Sequence, residues 1–296
     1  MDWDDARYFL AVAREGQMLG AARRLGVSQA LLSRRIAALE RAVGVRLLDR
    51  TTRGCSLTED GQPMFEAAER VEAELLSAMA RLQRRGDDVA GTIRIGAPDG
   101  FGSAFLAPRL RRFTETYPGL RLQLGPVPRS FSLSQQDADV AVMVGRPEKG
   151  RLRVRRLTAY TLGLYASKSY LAAAGWPETL ADVGGHALVG YVEDLIYTPE
   201  LNYAADLLRG WRSTVEVSTA IGQFTAVRSG AGIGILHDFM AAAQPDLVRL
   251  FPEHSVTRTY WTVWHENMRV ARRVQAVVEL LDTITREERH LFRRDS

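Results

Sequence analysis

The sequence predicts an α/β protein that carries a small all-α domain at its N-terminus. Over residues 18–43 the apolar side chains recur at helical spacing, with one glycine-containing break. From residue 92 onward, short apolar runs alternate with helical patterns, which indicates α/β layers with mainly parallel sheets. The chain has 296 residues, which is enough for two or three compact units.

Residues 18–43 predict a helix, a tight turn and a second helix. One face of the first helix is apolar and consists of Met18, Ala21, Ala22 and Leu25. Gly26 interrupts this pattern, and Ser28 is a favourable N-cap for the helix that follows. The second helix is predicted to bury an apolar face made of Leu32, Ile36, Leu39 and Val43.

The outward face of the second helix suits the major groove of double-stranded DNA. Next to Ser28, this face carries Gln29, Ala30, Ser33, Arg34 and Ala37. Gln and Arg side chains bond base edges through two hydrogen bonds, and a small residue lets the backbone come close. We therefore predict contacts to bases or flanking phosphates from Gln29, Ser33 and Arg34. Ala30 is predicted to pack near a thymine methyl group.

Residues 45–58 predict two short strands around a turn. Arg50 and Arg53 project from this hairpin, as in a wing that reaches a minor groove or flanking phosphates. A solvated basic hairpin is the alternative, and the neighbouring helix pattern favours contact with DNA. Cys55 is the only cysteine, so it cannot form an internal disulfide, and a packing role in the hairpin is favoured over a redox role.

The charge distribution also points to DNA. Residues 1–58 contain ten arginines and six carboxylates, so this segment carries the whole net charge of +4. The rest of the chain is balanced in charge. A positive charge confined to one segment is expected where phosphates are neutralised.

A long helix is predicted after the hairpin, with Thr58 as its cap. Its apolar residues recur at steps of four and three and are Met64, Ala68, Val71, Leu75, Ala78 and Leu82. Such a seam predicts pairing with a partner chain, and packing against the C-terminal part of the same chain is the alternative. Residues 84–91 combine charges and glycines without periodicity, which indicates a hinge.

The remaining two-thirds of the chain alternate between strands and helices. Strands are predicted at 92–97, 120–124, 140–144, 162–166, 187–192, 215–218, 233–236 and 260–264. Helices are predicted at 103–116, 168–174, 224–229 and 270–284. The mixed-charge residues 287–294 are predicted to form a solvated end.

Ligands of open α/β sheets bind beyond the carboxyl ends of strands, near helix N-termini. The candidate polar contacts in such segments are Ser103, Arg129, Ser130, Thr219 and Gln223, with Phe101 and Phe131 as candidate apolar walls. Arg129 and the helix N-termini favour an organic acid as the small-molecule ligand, whereas Asp99 opposes it. For each of these residues, an ordinary capping or loop role is the alternative.

The sequence gives no pattern for catalysis, a cofactor or a metal. It contains neither a phosphate-binding loop nor a nucleophilic-serine elbow, and its five histidines are scattered. The glycines at 230–234 follow a helix and precede a strand, which predicts a turn. Without an export signal or an apolar run long enough for a membrane, a cytoplasmic protein is expected. The rival interpretation is a stand-alone solute-binding or enzymatic α/β protein with a structural helical cap.

These residues resemble the LysR-type transcriptional regulators over almost the full length of the chain. The N-terminal landmarks are Phe9, Ala13, Gly16, Ala21, Ala22, Leu25, Ser28, Gln29, Ser33, Arg34, Ile36, Leu39, Glu40, Gly44, Leu47, Arg50, Arg53, Leu57, Thr58 and Gly61. Later segments that fit are 91–96, 117–118, 138–141 and 230–235. Gln17, Ala30, Leu48 and His237 depart from the family pattern, which affects local stability and sequence preference and removes no groove-contacting charge.

The resemblance implies three parts and a mechanism. Residues 1–58 would form a winged helix-turn-helix and residues 59–86 a linker helix that dimerises. Residues 91–296 would form an effector-binding domain of two α/β subdomains of the periplasmic-binding-protein type. The subdomains would span about 91–163 with 265–296, and about 164–264, with the effector bound between them. The family also implies dimers or tetramers that bend DNA and thereby change the recruitment of RNA polymerase.

Overall fold

Two compact units make up the chain, and each is built around its own apolar core. The units comprise Met1–Gly86 and Asp87–Ser296. The computed structural model describes residues 2–51, 54–82, 89–126, 138–147, 151–208 and 210–292. No helix within these described ranges has the length and apolar character needed to cross a membrane.

Capping residues and glycines set the ends of the first three helices. These helices are α1 (Trp3–Glu15), α2 (Met18–Leu25) and α3 (Gln29–Val43). The Oγ of Ser28 accepts a hydrogen bond from the Leu31 amide at 3.2 Å, which confirms the predicted N-cap of α3. Gln17 precedes α2 without a side-chain capping bond, as its residue type predicts. Gly26 has a φ of 66° at the turn, a conformation that favours glycine.

The predicted apolar faces form the core of the N-terminal unit, with one exception. Leu32, Ile36 and Leu39 of α3 are fully buried against α1 and α2. Val43, predicted to share this face, is 37% exposed, and the prediction is wrong at that residue. Val43 is the last residue of α3, and Gly44 ends the helix there, so no neighbouring element covers its side chain.

The hairpin and the long helix follow as predicted. Strands β1 (Leu48–Thr51) and β2 (Gly54–Leu57) pair antiparallel, with Arg50 opposite Cys55. A Cβ atom on Gly54 would lie 2.5 Å from the carbonyl oxygen of Gly16, so this strand approaches the end of α1 too closely for a side chain. The Oγ1 of Thr58 accepts a hydrogen bond from the Gly61 amide at 2.9 Å, and helix α4 spans Gly61–Leu82.

The second unit contains one eight-stranded sheet with helices around it. The strands are β3 (Gly91–Ala97), β4 (Leu120–Pro126), β5 (Val140–Val144), β6 (Leu152–Ser167), β7 (Leu188–Gly190), β8 (Val215–Glu216), β9 (Ile233–His237) and β10 (Leu247–His265). The α-helices are α5 (Leu110–Thr116), α6 (Lys168–Ala174), α7 (Ala204–Leu207), α8 (Ala220–Arg228), α9 (Asp238–Ala241), α10 (Arg272–Glu287) and α11 (Arg289–Phe292). A π-helical segment, Gly100–Leu106, follows β3.

The strand order is β4-β3-β5-β10-β6-β9-β7-β8. Parallel pairs occupy both ends of the sheet, whereas β10 is antiparallel to β5 and β6, and β6 is antiparallel to β9. The prediction of mainly parallel sheets is therefore wrong at the centre of the sheet, where the strand pairs are antiparallel. There, two long strands of 16 and 19 residues run side by side through both halves of the sheet.

Hydrogen bonds along the long strands show where the chain passes from one half to the other. Residues Leu162–Tyr165 of β6 pair with β9, and residues Tyr260–Trp264 of β10 pair with β5. The chain therefore passes from one half of the sheet to the other along β6 and returns along β10. The subdomain bounds that the resemblance implies stay a prediction.

An aromatic cluster lies in the core of the second unit. Phe101 and Phe105 of the π-helical segment contact each other at 5.1 Å between ring centroids, and Phe292 contacts both rings. All three side chains are buried. Glu287, Arg289 and His290 are exposed, as predicted for a solvated end. The prediction is wrong at Phe292, because α11 places this ring in the core, and residues 293–296 lie outside the described residues.

Candidate DNA-contacting surface and ligand cavity

Helix α3 separates a buried face from an exposed polar face. Gln29, Ala30 and Arg34 are exposed, and Ser33 is half-buried. The opposite side of the helix packs into the core through Leu32, Ile36 and Leu39. This packing fixes the rotation of α3, so the polar residues point away from the unit and remain available to a partner.

The two serines at this surface make hydrogen bonds within the protein. Ser28 caps α3, and the Oγ of Ser33 accepts a hydrogen bond from the Arg50 guanidinium at 3.1 Å. The same guanidinium lies 3.8 Å from the carboxylate of Glu40. Arg50, on β1, is thus held against α3. The hairpin of β1 and β2, which is the predicted wing, therefore forms one continuous surface with α3.

Glu40 holds the hairpin in place, a role that the sequence did not predict. Its Oε1 accepts hydrogen bonds from the Leu47 amide at 2.9 Å and the Leu48 amide at 3.2 Å. These amides begin the hairpin, and Glu40 is near the end of α3. The sequence signal for this contact is a glutamate one turn before the glycine that ends the helix. The same arrangement occurs in many helices that lack such a contact.

The arginines of this unit differ in how far their charge is already compensated. Arg35 lies 3.3 Å from Asp5, and Arg24 lies 2.8 Å from Glu15. Arg34 is exposed and forms no ion pair with any residue of the described ranges. Its charge is therefore available to a phosphate or a base edge. Arg53, the second predicted wing residue, lies outside the described residues.

In the second unit, the structure separates the predicted ligand residues. Phe101 is fully buried among Phe105, Tyr260 and Phe292, so it belongs to the core and not to a ligand wall. Ser103 is half-buried on the π-helical segment. The candidates Arg129, Ser130 and Phe131 lie outside the described residues.

Thr219 and Gln223 lie at the start of α8. The Oγ1 of Thr219 accepts a hydrogen bond from the Gly222 amide at 3.0 Å, so Thr219 is the N-cap. The side chain of Gln223 is buried, and its Nε2 donates to the carbonyl oxygen of Val217 at 3.0 Å. Both side chains therefore have structural roles, and Gln223 also lines a cavity.

This cavity has a volume of about 430 Å³, within the range of small-molecule sites. Its walls come from the ends of β7 and β8, from α8 and from the segment between β7 and β8. The residues whose side chains determine its chemistry are Tyr191, Glu193, Tyr203, Trp211, Arg212 and Glu216. A smaller cavity of about 140 Å³ is lined by Pro98, Tyr197 and Glu200, among others.

Asp99 follows Pro98, and its carboxylate lies against the first turn of α8. It is only 6% exposed, and its Oδ2 accepts a hydrogen bond from the Ile221 amide at 3.0 Å. Burial raises the pKa of this carboxyl above its ordinary value, and the backbone hydrogen bonds from Ile221, Gly100 and Ala220 offset only part of that rise. No basic side chain of the described ranges forms an ion pair with it.

His237 is a second buried titratable group near this segment. Its ring stacks on Tyr160 at 5.3 Å between centroids, and its Cε1 lies close to Gly100. Burial lowers the pKa of the imidazole to about 4, against a smaller opposing effect of Asp238. The ring is therefore neutral at neutral pH and contributes packing.

The aromatic and acidic cavity residues were not predicted from the sequence. They come from the segment 191–216, which contains two short 3₁₀ turns, the four-residue α7 and the two-residue β8. Elements this short leave no clear periodicity, and the sequence signal is a composition rich in tyrosine and glutamate. The sequence analysis names Asp99 as an acid near the ligand segments but does not predict its burial against α8.

Both units match families of known proteins. Residues 3–62 match the family described as "Bacterial regulatory helix-turn-helix protein, lysR family". Residues 86–285 match the family described as "LysR substrate binding domain". Together these matches cover most of the chain.

Individual regulators are similar over nearly their whole length. The HTH-type transcriptional regulator CrgA of Neisseria meningitidis is 28% identical over 288 residues, which covers 94% of this chain and 95% of that protein. The HTH-type transcriptional regulator DmlR of Escherichia coli is 28% identical over 289 residues, covering 94% and 92%. The solved structure of CrgA aligns with a TM-score of 0.60 at 26% identity, covering 96% and 98%.

Proposed function

The chain belongs to the LysR family of transcriptional regulators, and from that premise we propose which of its residues read DNA and where its effector binds. It is a sequence-specific DNA-binding regulator whose second unit binds a small-molecule effector, and it is not an enzyme. The role that each residue has in binding DNA or the effector is our proposal.

The exposed face of α3 reads the major groove. Gln29 and Arg34 contact base edges, and Ala30 packs near a thymine methyl group. Ser33 contacts a base or a flanking phosphate beside Arg50, which donates a hydrogen bond to its hydroxyl. Ser28 sets the start of the helix at the backbone of the DNA. Arg50, together with Arg53, anchors the wing on phosphates. The observation that carries this assignment is the exposed Arg34, which lacks an ion pair with any described residue, on a helix whose other face is fixed in the core.

Substitution of Arg34 tests the assignment. Arg34→Ala should weaken specific binding by about ten-fold or more and reduce the preference for the specific site over random DNA. The measurement is a fluorescence anisotropy titration of both DNAs at several salt concentrations. Arg111→Ala is the control, because it removes an exposed arginine of the second unit, where no contact with DNA is proposed. Equal binding by Arg34→Ala and the parent would overturn the role of α3.

Helix α4 pairs with α4 of a second copy. Val71 and Leu75 lie one turn apart and are 45% and 47% exposed, although both are apolar. With Ala78, which is also exposed, they form a stripe at the spacing of a helix-pairing seam. We propose a dimer through this stripe, with a tetramer as the larger assembly, so that two α3 helices contact two half-sites.

The effector binds at the first turn of α8, between the two halves of the second unit. The larger cavity adjoins α8 through Gln223, and all the described residues that line it belong to the 164–264 half. The polar contacts that we propose there are Ser103, Thr219 and Gln223, with Arg129, Ser130 and Phe131 from the segment outside the described residues. An effector acts only if it binds one arrangement of the halves more tightly than the other.

The remaining parts of the proposal concern the setting in which the regulator works. It acts in the cytoplasm, where it reaches chromosomal DNA, and the effector changes the bend of the DNA and so the recruitment of RNA polymerase. An effector that acts in this way changes the footprint of the protein on its site without abolishing binding. DNase I footprints with and without the effector test this, and identical footprints would contradict it.

A further inference from the structure

The larger cavity lies within one half of the second unit, whereas the effector site proposed above lies between the two halves. The described residues that line this cavity all fall between Val189 and Ile235. Its volume of about 430 Å³ is within the range of small-molecule sites, and the proposed effector does not occupy it. The cavity is therefore a candidate for a second ligand site with its own chemistry.

Contacts within the protein fix the aromatic walls of the larger cavity. The Nε1 of Trp211 donates a hydrogen bond to the Oγ of Ser213 at 3.0 Å. Both atoms lie against Gly190, where a Cβ atom would be 2.2 Å from the Oγ and 3.1 Å from the Nε1. The rings of Tyr191 and Tyr203 lie edge to face at 6.1 Å between centroids. The walls are thus formed before a ligand binds, which lowers the entropic cost of binding.

The interior of the larger cavity is apolar. Val189 is 1% exposed, Leu201 is 5% exposed and Ile235 is 3% exposed, and all three residues line the cavity. Water in an apolar interior finds few hydrogen-bond partners, so an apolar group that displaces it gains free energy. This part of the cavity therefore suits the phenyl or branched alkyl group of a ligand.

Charged side chains of both signs lie at the opening of the larger cavity. Glu193, Arg212 and Glu216 line the cavity and are exposed. None of these three side chains forms an ion pair with a residue that the structure describes. A guanidinium and two carboxylates that do not pair with one another leave charges of both signs available to one ligand.

We propose that the larger cavity binds an α-amino acid with an apolar side chain, at a site separate from the effector site. The carboxylate of the amino acid pairs with Arg212, its ammonium group lies at Glu193 and Glu216, and its side chain occupies the apolar interior. Both polar contacts are charge-assisted hydrogen bonds, which are stronger than neutral ones. An organic amine or an organic acid alone would satisfy only one sign of charge.

The cavity and the proposed effector site meet at Gln223. This residue lines the cavity, and its Nε2 donates a hydrogen bond to the carbonyl oxygen of Val217 at 3.0 Å. The other described residues that we propose as effector contacts, Ser103 and Thr219, do not line the cavity. Substitutions at Ser103 and at the opening of the cavity therefore distinguish binding at the two sites.

Amino acids and their partial analogues test the ligand class. The full-length protein is titrated calorimetrically with L-phenylalanine and L-leucine, with phenethylammonium, which lacks the carboxylate, and with phenylpropanoate, which lacks the ammonium group. Glycine, which lacks the side chain, completes the set. We expect the two amino acids to bind and to raise Tm. Each of the other compounds should bind about ten-fold or more weakly, because each loses one of the three contacts.

Variants at the opening assign the two charges. Arg212→Gln should weaken binding of L-phenylalanine about ten-fold or more and leave the weaker binding of phenethylammonium unchanged. The double variant Glu193→Gln/Glu216→Gln should weaken binding of both compounds and leave that of phenylpropanoate unchanged. These side chains are exposed and unpaired, so the Tm of the unliganded variants should equal that of the parent. Arg111→Gln and Glu178→Gln, at exposed residues that do not line the cavity, are the controls.

Ser103→Ala tests whether the two sites are separate, and it should bind L-phenylalanine as the parent does. Weaker binding by Ser103→Ala, with unchanged binding by the variants at the opening, would place the amino acid between the halves and overturn the second site. Equal binding of L-phenylalanine and either of its charged analogues would overturn the amino acid class. Absence of binding by both amino acids at millimolar concentrations would overturn the proposal and leave the effector site between the halves unaffected.

Discussion

At the scale of single residues, the candidate DNA-contacting surface consists of side chains that hold α3 and the wing together and side chains that stay free to bind a partner. Ser28 caps α3, and Ser33 and Glu40 engage Arg50. Gln29 and Arg34 are exposed beside them. Sequence reasoning identified the outward residues by type and spacing. It did not show that the serines and Glu40 orient the wing, because these contacts join residues up to 17 positions apart.

Glu40 provides a test of this orienting role. Glu40→Ala removes the acceptor for the Leu47 and Leu48 amides, so the free energy of unfolding should fall by about 1–3 kcal/mol. Specific DNA binding should weaken as well, because Arg50 loses a neighbour that holds it. Urea unfolding and anisotropy titrations measure the two effects. Glu59→Ala, at an exposed acid without such contacts, is the control, and equal stability of Glu40→Ala and the parent would contradict the role.

His237 makes the stability of the folded protein depend on pH, and the burial of its imidazole sets the sign of this dependence. Its pKa is about 4 in the folded protein and 6.5 in the ordinary state, so only the unfolded chain takes up the proton between these values. Stability is therefore fully present above pH 6.5 and is lost as the pH falls towards 4, by about 3 kcal/mol in total. Urea unfolding at several pH values should show a shallower loss for His237→Gln than for the parent. His254→Gln, at an exposed histidine, should keep the parent's slope, and equal slopes for all three proteins would contradict the prediction.

At the scale of elements, α4 is tied to α1 on one side and exposed on the other. Arg14 of α1 is 6% exposed and lies 3.3 Å from Glu69 and 2.8 Å from Glu72. These ion pairs fix α4 against the N-terminal unit, so its apolar residues Val71 and Leu75 remain outward. A dimer through α4 would then set the distance between the two α3 helices.

The exposed stripe of α4 gives a direct prediction for the oligomeric state. Leu75→Glu places a charge in the proposed seam and should shift the protein towards monomers, since a buried unpaired charge is strongly unfavourable. Sedimentation velocity over a dilution series measures the shift. Gln62→Glu adds the same charge to an exposed position of the same helix and should leave the assembly unchanged. An unchanged sedimentation coefficient for Leu75→Glu would contradict dimerisation through this stripe.

Most elements were predictable from local patterns, and the differences have physical causes. Strand β5 and helix α6 were predicted with their observed bounds, since each forms a short pattern with clear ends. The 19-residue β10 was predicted only at 260–264. Its first part contains charged residues and Pro252, which are unfavourable in a predicted strand, and the structure has a positive φ at Phe251 there. Phe292 was missed because burial in a distant aromatic cluster leaves no local signal.

At the scale of the whole molecule, the two units carry two different chemistries. Within the first unit, residues 1–58 hold the excess positive charge of the chain on a helix-turn-helix and a wing. The second unit contains a cavity with aromatic walls and acidic side chains. Composition and motifs were sufficient to predict the helix-turn-helix and the exposed polar face of α3. They were not sufficient for the cavity, whose residues come together only through the strand order of the sheet.

The most direct test of the central claim is to incubate the full-length protein with sheared DNA of its source genome at physiological salt and to sequence the retained fragments. We predict that a few sites are enriched, that they share an inverted repeat whose halves lie about one helical turn or a multiple of it apart, and that Arg34→Ala loses this enrichment. Retention of all fragments to the same extent, or retention of none, would contradict the claim that the exposed face of α3 reads a specific DNA sequence.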